Sequence, residues 1–384
     1  MRVPGNSTVF GLLLTALTHR IPFLLTLLAC TTPAFAQQTI SVSFDFRNGS
    51  QGWEAGFADY PPATDNGQYQ LQAEIRSLPP ELGITGTGFY IQGANASDDL
   101  FMFLKRRLSS VDGVSAGQTY QINYSLVFAS NAPTACGGIG GAPGESVYLR
   151  AGASPAEPLA LLDSDFFHYL RLNIPAGKRR DNAIAASSTG NIANGEPCHP
   201  PAPVPFVSMS RSHQHTSLVN ANSRGEIWLL VGADSGFEGR TSLYYQRIDV
   251  TLTPMSAPPP PVLLTEQNSG RAAAMDSVTL TRESFSVTSP HNFFSADHRT
   301  RVTLFAYYLE LKNGEDISAI KAQAEDSQHR LYDLPVEAVN EVPKFGWISA
   351  VTVKLPDELQ GAGDVYVKVS LRGVASNQAL VSIN

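Results

Sequence analysis

Apolar side chains at every second position confine most of this chain to extended structure. Ile40, Val42, Phe44 and Phe46 alternate with Ser41, Ser43 and Asp45, and Tyr120, Ile122, Tyr124, Leu126 and Phe128 alternate with Gln121, Asn123 and Ser125. A period of two sends alternate side chains to opposite faces, so such segments bury a face only as strands. The rhythm returns in Val302, Leu304 and Ala306, in Ile320, Ala322 and Ala324, in Val365, Val367, Val369 and Leu371, and at 379–383. Further candidates lie at 68–76, 88–92, 100–108, 146–151, 226–231 and 243–252. Phe101-Met102-Phe103-Leu104 and Trp228-Leu229-Leu230-Val231 lack polar alternation, which predicts interior strands covered on both faces. No segment has a convincing helical period. With 31 glycines, 26 prolines and 16% charged residues, the composition suits turn-rich sandwiches, and the chain is predicted to be all-β.

At 384 residues the chain is too long for one core. The tract Pro254-Met255-Ser256-Ala257-Pro258-Pro259-Pro260-Pro261 is extended and cannot join a sheet, which predicts a linker over 254–261. Residues 37–253, with about nine strands, are expected to form a jelly-roll β-sandwich. Residues 262–384, with about seven, are expected to form an immunoglobulin-like β-sandwich, although the paired cysteines of antibody domains are missing.

The apolar run Ile21 to Ala29, the small-x-small triplet Ala34-Phe35-Ala36 and the polar start at Gln37 predict a signal peptide over 1–36. A rival lies within it. Leu27-Leu28-Ala29-Cys30 resembles a bacterial lipobox, so membrane attachment is expected only if Cys30 is lipidated. Either route makes the product secreted or surface-attached. Cleavage leaves Cys136 and Cys198, which are expected to pair in an oxidising compartment. Loss of Arg2 and Arg20 takes 27 basic side chains to 25 against 34 acidic, a net charge of minus nine that disfavours nucleic acid as a partner.

The opening Phe44-Asp45-Phe46 before Gly52-Trp53, with the closing Ile248-Asp249-Val250-Thr251-Leu252, resembles galactose-binding-like jelly rolls of carbohydrate-binding modules. The resemblance implies an extracellular glycan bound at loops or on a sheet face, often with structural calcium near the first strand. The cysteine-bracketed insertion and the long loop from Ala153 to Ser208 depart from that pattern. The C-terminal part resembles immunoglobulin-like accessory domains that act as spacers or adhesive modules.

Trp53 followed by Gly56-Phe57-Ala58-Asp59-Tyr60 is expected to set aromatic and acidic groups on one loop, where sugar rings stack and hydroxyls find acceptors. Trp53 and Phe57 could equally seal the sandwich edge. Asn95-Ala96-Ser97-Asp98-Asp99 and Asp234-Ser235-Gly236-Phe237-Glu238-Gly239 are oxygen-rich turns, so Asp98, Asp99, Asp234 and Glu238 are candidate calcium ligands, or simple turn caps. Trp53, Asp59, Tyr60, Asp98, Asp99 and Asp234 are the expected ligand contacts. His213-Gln214-His215 resembles the cupin His-x-His metal pair, yet Val219 and Asn220 stand where that pattern needs a glutamate, so an exposed polar loop is expected. Asp163, Asp165 and His168 are close in sequence, as acid–base groups could be. No Gly-x-Ser-x-Gly occurs, and the glycine tract after Cys136 lacks the Lys-Ser/Thr of a phosphate loop, so it reads as a flexible turn. His291 and Asp297-His298-Arg299-Thr300-Arg301 read as an ion-pair network. Binding is favoured over catalysis, with a polysaccharide-active enzyme and a structural or adhesive envelope protein as alternatives.

Overall fold

The computed structural model describes residues 38–62, 67–96, 99–163, 168–198, 203–256, 258–266, 269–311 and 314–384. The leader with Ala36 and Cys30, and the candidates Asp98 and Asp165, lie outside the described residues. Among those described, regular structure is strand, with short 3-10 turns and no α-helix.

Before the proline tract the strands are β1 (Ile40–Asp45), β2 (Glu54–Ala58), β3 (Gln72–Ser77), β4 (Thr87–Ala94), β5 (Leu100–Leu108), β6 (Thr119–Ser130) and β7 (Val147–Ser154). They continue as β8 (Ala160–Leu162), β9 (Leu170–Leu172), β10 (Ser187–Asn191), β11 (Val207–Gln214), β12 (Val219–Asn220), β13 (Ile227–Ser235) and β14 (Arg240–Pro254). One sheet runs β11-β6-β14-β4-β3, with β1 also on β14 and β12 on β6; the other runs β10-β7-β13-β5-β2. Pairing is antiparallel throughout, and the β8–β9 hairpin stands apart. Register carries the alternation into the core: Phe44 faces Ile248 across β1 and β14, and both are buried. Phe46, Trp53, Leu126, Phe128 and Tyr245 fill the same space between the sheets.

Two segments expected to be loops are strands. The predicted aromatic–acidic loop after Trp53 is largely β2, because Ala55, Gly56 and Ala58 are small enough to lie flat against β5. Residues 207–214 form the edge strand β11, with His213 opposite Tyr124.

The second face of the β10-β7-β13-β5-β2 sheet is also buried. Ala58, Phe101, Phe103 and Leu230 are covered by Ile174, Ala176, Ala185 and Ala186 from the long connection, and by Tyr307, Tyr308 and Trp347 from the C-terminal sandwich. The unbroken apolar runs of β5 and β13 match this two-sided burial. Gly56 lies opposite Phe103, whose ring rests on the glycine, so an added Cβ would stand 2.3 Å from Phe103 Cζ. Gly56→Ala is expected to destabilise the fold by about 1–3 kcal/mol in urea unfolding, and a change within experimental error would refute this packing.

After the tract come β15 (Val262–Leu263), β16 (Ala274–Asp276), β17 (Arg301–Tyr307), β18 (Ile320–Glu325) and β19 (Leu331–Leu334). β20 (Val336–Val342), β21 (Phe345–Lys354), β22 (Gly363–Leu371), β23 (Val374–Ala375) and β24 (Ala379–Ile383) complete the chain. They form the sheets β15-β17-β21-β20, with β16 on β17, and β19-β18-β22-β23, with β24 on β22. Val302, Leu304, Ala322, Val351, Val367 and Val381 pack between them. More strands form than the alternation revealed, because β15, β16 and β23 are two or three residues long. Arg301 bridges Asp297 and Glu337, and Arg299 pairs with Asp357, making the charged run an ion-pair network.

Candidate binding cleft

The long connection between β9 and β10 is held to the sheet by a buried arginine. Arg150 stands on β7 opposite Gly232 of β13 and is 0% exposed. Its guanidinium donates to the Arg179 carbonyl at 2.5 Å, to the Asp181 carbonyl and to the Ala186 carbonyl at 3.4 Å. Those bonds bend residues 177–186 over the sheet face. Gly177 permits the bend with φ +71°, and a Cβ there would lie 2.5 Å from Arg150 Nη2.

Three consecutive cations are thereby displayed at one end of the sandwich. Lys178 Nζ and Arg179 Nε donate to the two oxygens of buried Asp99 at 2.9 and 3.0 Å. The Arg179 backbone N–H donates to Asp234 Oδ2 at 2.6 Å. Arg180 Nε donates to Tyr148 Oη at 2.5 Å, with its guanidinium 5.4 Å from the ring centroid. Tyr148 and Asp234 are register partners on β7 and β13, which puts both beneath the loop. Asp99, Tyr148, Lys178, Arg179, Arg180 and Asp181 border a cleft of about 470 Å³, closed on another side by Gly140 and Ser146. The glycine tract is no free turn: Glu238 N–H donates to the Ile139 carbonyl at 2.8 Å and Gly236 N–H to the Ser146 carbonyl at 3.0 Å. Cys136 and Cys198 are joined with Cα atoms 5.4 Å apart, closing this region at its base.

Asp59, Asp99 and Asp234 share one electrostatic neighbourhood. Burial pushes Asp234 up to about 7 against the opposing Arg179 N–H and Arg150 charge, and among the described residues Oδ1 of Asp234 has no hydrogen-bond partner. Burial also raises Asp59, although Arg171 Nη1 reaches it at 2.8 Å.

Other candidates fall elsewhere. Trp53 is 2% exposed and meets Phe44 and Phe46 edge-on inside the core, so its ring has no face for a sugar. Asp59 and Tyr60 hold β9 instead: Asp59 N–H donates to Leu170 O, Leu170 N–H to Tyr60 O, and Tyr60 packs on Tyr69. Glu238 serves the glycine tract through its backbone. Among the described residues no group of three or more His, Cys, Asp or Glu side chains could hold a metal ion, and Asp99 faces cations. Asp163 is engaged by Arg171 at 3.3 Å, while His168 is exposed.

The two histidines share a face, as strand spacing requires, but they meet a serine. His213 Nε2 lies 2.7 Å and His215 Nδ1 2.9 Å from Ser187 Oγ, and His215 Nε2 is 2.8 Å from the Ile184 carbonyl. A carbonyl only accepts, so His215 carries its proton on Nε2, its Nδ1 accepts from the Ser187 hydroxyl, and His213 Nε2 donates to that oxygen. Ser187 and His215 are both 0% exposed.

Burial pushes His215 down to about 4 and lowers His213 as well. Stability supplied by neutral His215 is complete above its unfolded value near 6.5 and is withdrawn as pH falls towards 4. Asp234 has the opposite sign, its contribution being full below 3.8 and lost as pH rises through about 7. Asp234→Asn removes the second slope alone. Relative to wild type, that variant is expected to gain about 1 kcal/mol or more between pH of about 5 and about 8 in urea unfolding; parallel curves would refute this.

Sequence reading found the carboxylates and missed their partners Tyr148, Arg150 and Lys178 to Arg180. Two signals existed: an arginine inside the apolar run Val147 to Ala153, and three adjacent cations in a chain with few charges.

No protein-family model matches the chain, and no curated protein matches it. Among solved structures, the chain is similar to a carbohydrate-binding module, CBM28, described as specific for non-crystalline cellulose. The match has 10% identity and a TM-score of 0.23, covering 56% of this chain and 93% of that one.

Proposed function

We propose that the protein is a secreted or cell-surface, non-catalytic binding protein for an extracellular glycan, held in the cleft between residues 178–181 and Gly140–Ser146. The supporting observation is a cleft of about 470 Å³ whose border mixes guanidinium, ammonium, carboxylate and hydroxyl groups. A ligand dense in hydroxyls needs donors and acceptors of this kind at fixed positions. The Cys136–Cys198 bond fits an extracellular setting. In this reading residues 37–253 form a jelly roll and 262–384 an immunoglobulin-like accessory domain joined by the proline tract. A glycan array followed by titration calorimetry tests it. Retention of at least one glycan class, weakened by Lys178→Ala, is expected; no saccharide bound at millimolar concentration would overturn the reading.

One observation favours adhesion as a second reading. Phe293 and Phe294 are 79% and 87% exposed on a loop pinned by buried Asn292, whose Nδ2 donates to the Arg299 carbonyl at 2.6 Å. Large apolar groups displayed on a fixed loop suit contact with another surface.

A further inference from the structure

We infer that the ligand of this cleft carries an anionic group, a carboxylate or sulfate on a saccharide, and that Arg180 is its anchor. The inference rests on the glycan reading above and names the ligand class. Asp99 is 4% exposed and both of its oxygens are engaged by Lys178 and Arg179. Lys178, Arg179 and Arg180 outnumber Asp99 and Asp181 along the border, leaving one positive charge in a chain whose net charge is −7. All three cations are exposed, but Arg180 differs from its two neighbours in making no ion pair among the described residues. Its Nε is occupied by the Tyr148 hydroxyl and its plane is supported by the Tyr148 ring, itself 8% exposed. That arrangement holds the guanidinium by Nε and leaves both Nη without a hydrogen-bond partner among the described residues. A fork held in this way matches the paired oxygens of a carboxylate or sulfate, which a hydroxyl cannot supply. The acidic surface elsewhere repels polyanions, so attraction must come from this local constellation.

The test uses the mature protein with oligogalacturonates, chondroitin sulfate oligosaccharides and neutral malto-oligosaccharides, titrated calorimetrically at about 50 mM and about 300 mM salt. The expected result is tighter binding of one anionic series than of the neutral one, weaker at high salt. Arg180→Ala should lose about tenfold or more in affinity, and Arg180→Lys should restore only part, because an ammonium lacks the fork. The carboxylated and sulfated arms decide which anion is preferred. Arg282→Ala, an exposed arginine in the C-terminal sandwich, serves as control, and circular dichroism verifies folding of each variant. Neutral sugars bound as tightly, with Arg180→Ala silent, would overturn the inference and leave the glycan reading standing. An equal loss in Arg282→Ala would overturn it as general charge attraction. No saccharide bound in any arm would overturn both.

Discussion

Arg150→Met is expected to lower the unfolding free energy by about 3 kcal/mol or more and to abolish ligand binding by the folded fraction. Methionine fills similar length without supplying donors. The Arg179 and Asp181 carbonyls would lose the guanidinium that now satisfies them, while the Ala186 carbonyl would keep the Ala183 N–H at 2.9 Å. An unsatisfied buried acceptor costs about 1–3 kcal/mol. Part of that loss is offset, because burial already disfavours the arginine charge and lowers its pKa. The second effect is electrostatic: Asp234 would lose a nearby cation, so the variant should weaken further as pH rises. Urea unfolding with hydrogen exchange over residues 177–186 measures both. A loss below about 1 kcal/mol with unchanged exchange would show that the loop holds its bend without the arginine.

Removing the Cys136–Cys198 bond should have a comparable effect. The bridge joins residues separated by 62 positions, for which the chain-entropy treatment gives about 4 kcal/mol, and measured losses span about 2–5 kcal/mol. The paired substitutions Cys136→Ser and Cys198→Ser, or full reduction, are therefore expected to lower the unfolding midpoint sharply. Beside the bridge, Thr134 N–H donates to Glu196 O at 2.8 Å, Gly195 N–H to Thr134 Oγ1 at 2.9 Å and Ala135 N–H to Glu145 Oε1 at 2.8 Å. An unchanged midpoint, with reduction verified by mass, would mean that these bonds and the glycine-tract contacts suffice.

How much was legible follows from which residues report their own surroundings. β5 and β24 coincide with the segments read from the sequence, since long branched or aromatic side chains announce burial wherever they stand. β2 was hidden because Ala55, Gly56 and Ala58 carry little apolar signal, their cover coming from Leu104, Phe103 and Phe101 across the ladder. β11 was hidden because the side chains of one face include Met209, Arg211 and His213, with serines at 208, 210 and 212 between them. In the cleft, Asp99 and Asp234 were identifiable as candidate ligand carboxylates, although Asp234 stands on β13 and not in a turn. Their cations were not, because Lys178 and Arg179 lie 79 and 80 positions from Asp99, and the Arg179 amide 55 from Asp234. Separation of that order is closed only by the topology that lays the β9–β10 connection over β7 and β13.

The aromatic trio Tyr307, Tyr308 and Trp347 sits against the same apolar layer as Phe101, Phe103 and Leu230, and the Tyr308 hydroxyl donates to the Leu218 carbonyl at 2.8 Å. The N-terminal portion thus relies on its successor to keep part of that layer dry, and a truncation after Pro261 would expose what Ile174, Ala176, Ala185 and Ala186 do not cover. Calorimetry of the intact chain should accordingly record one endotherm rather than two, with neither half able to melt ahead of the other.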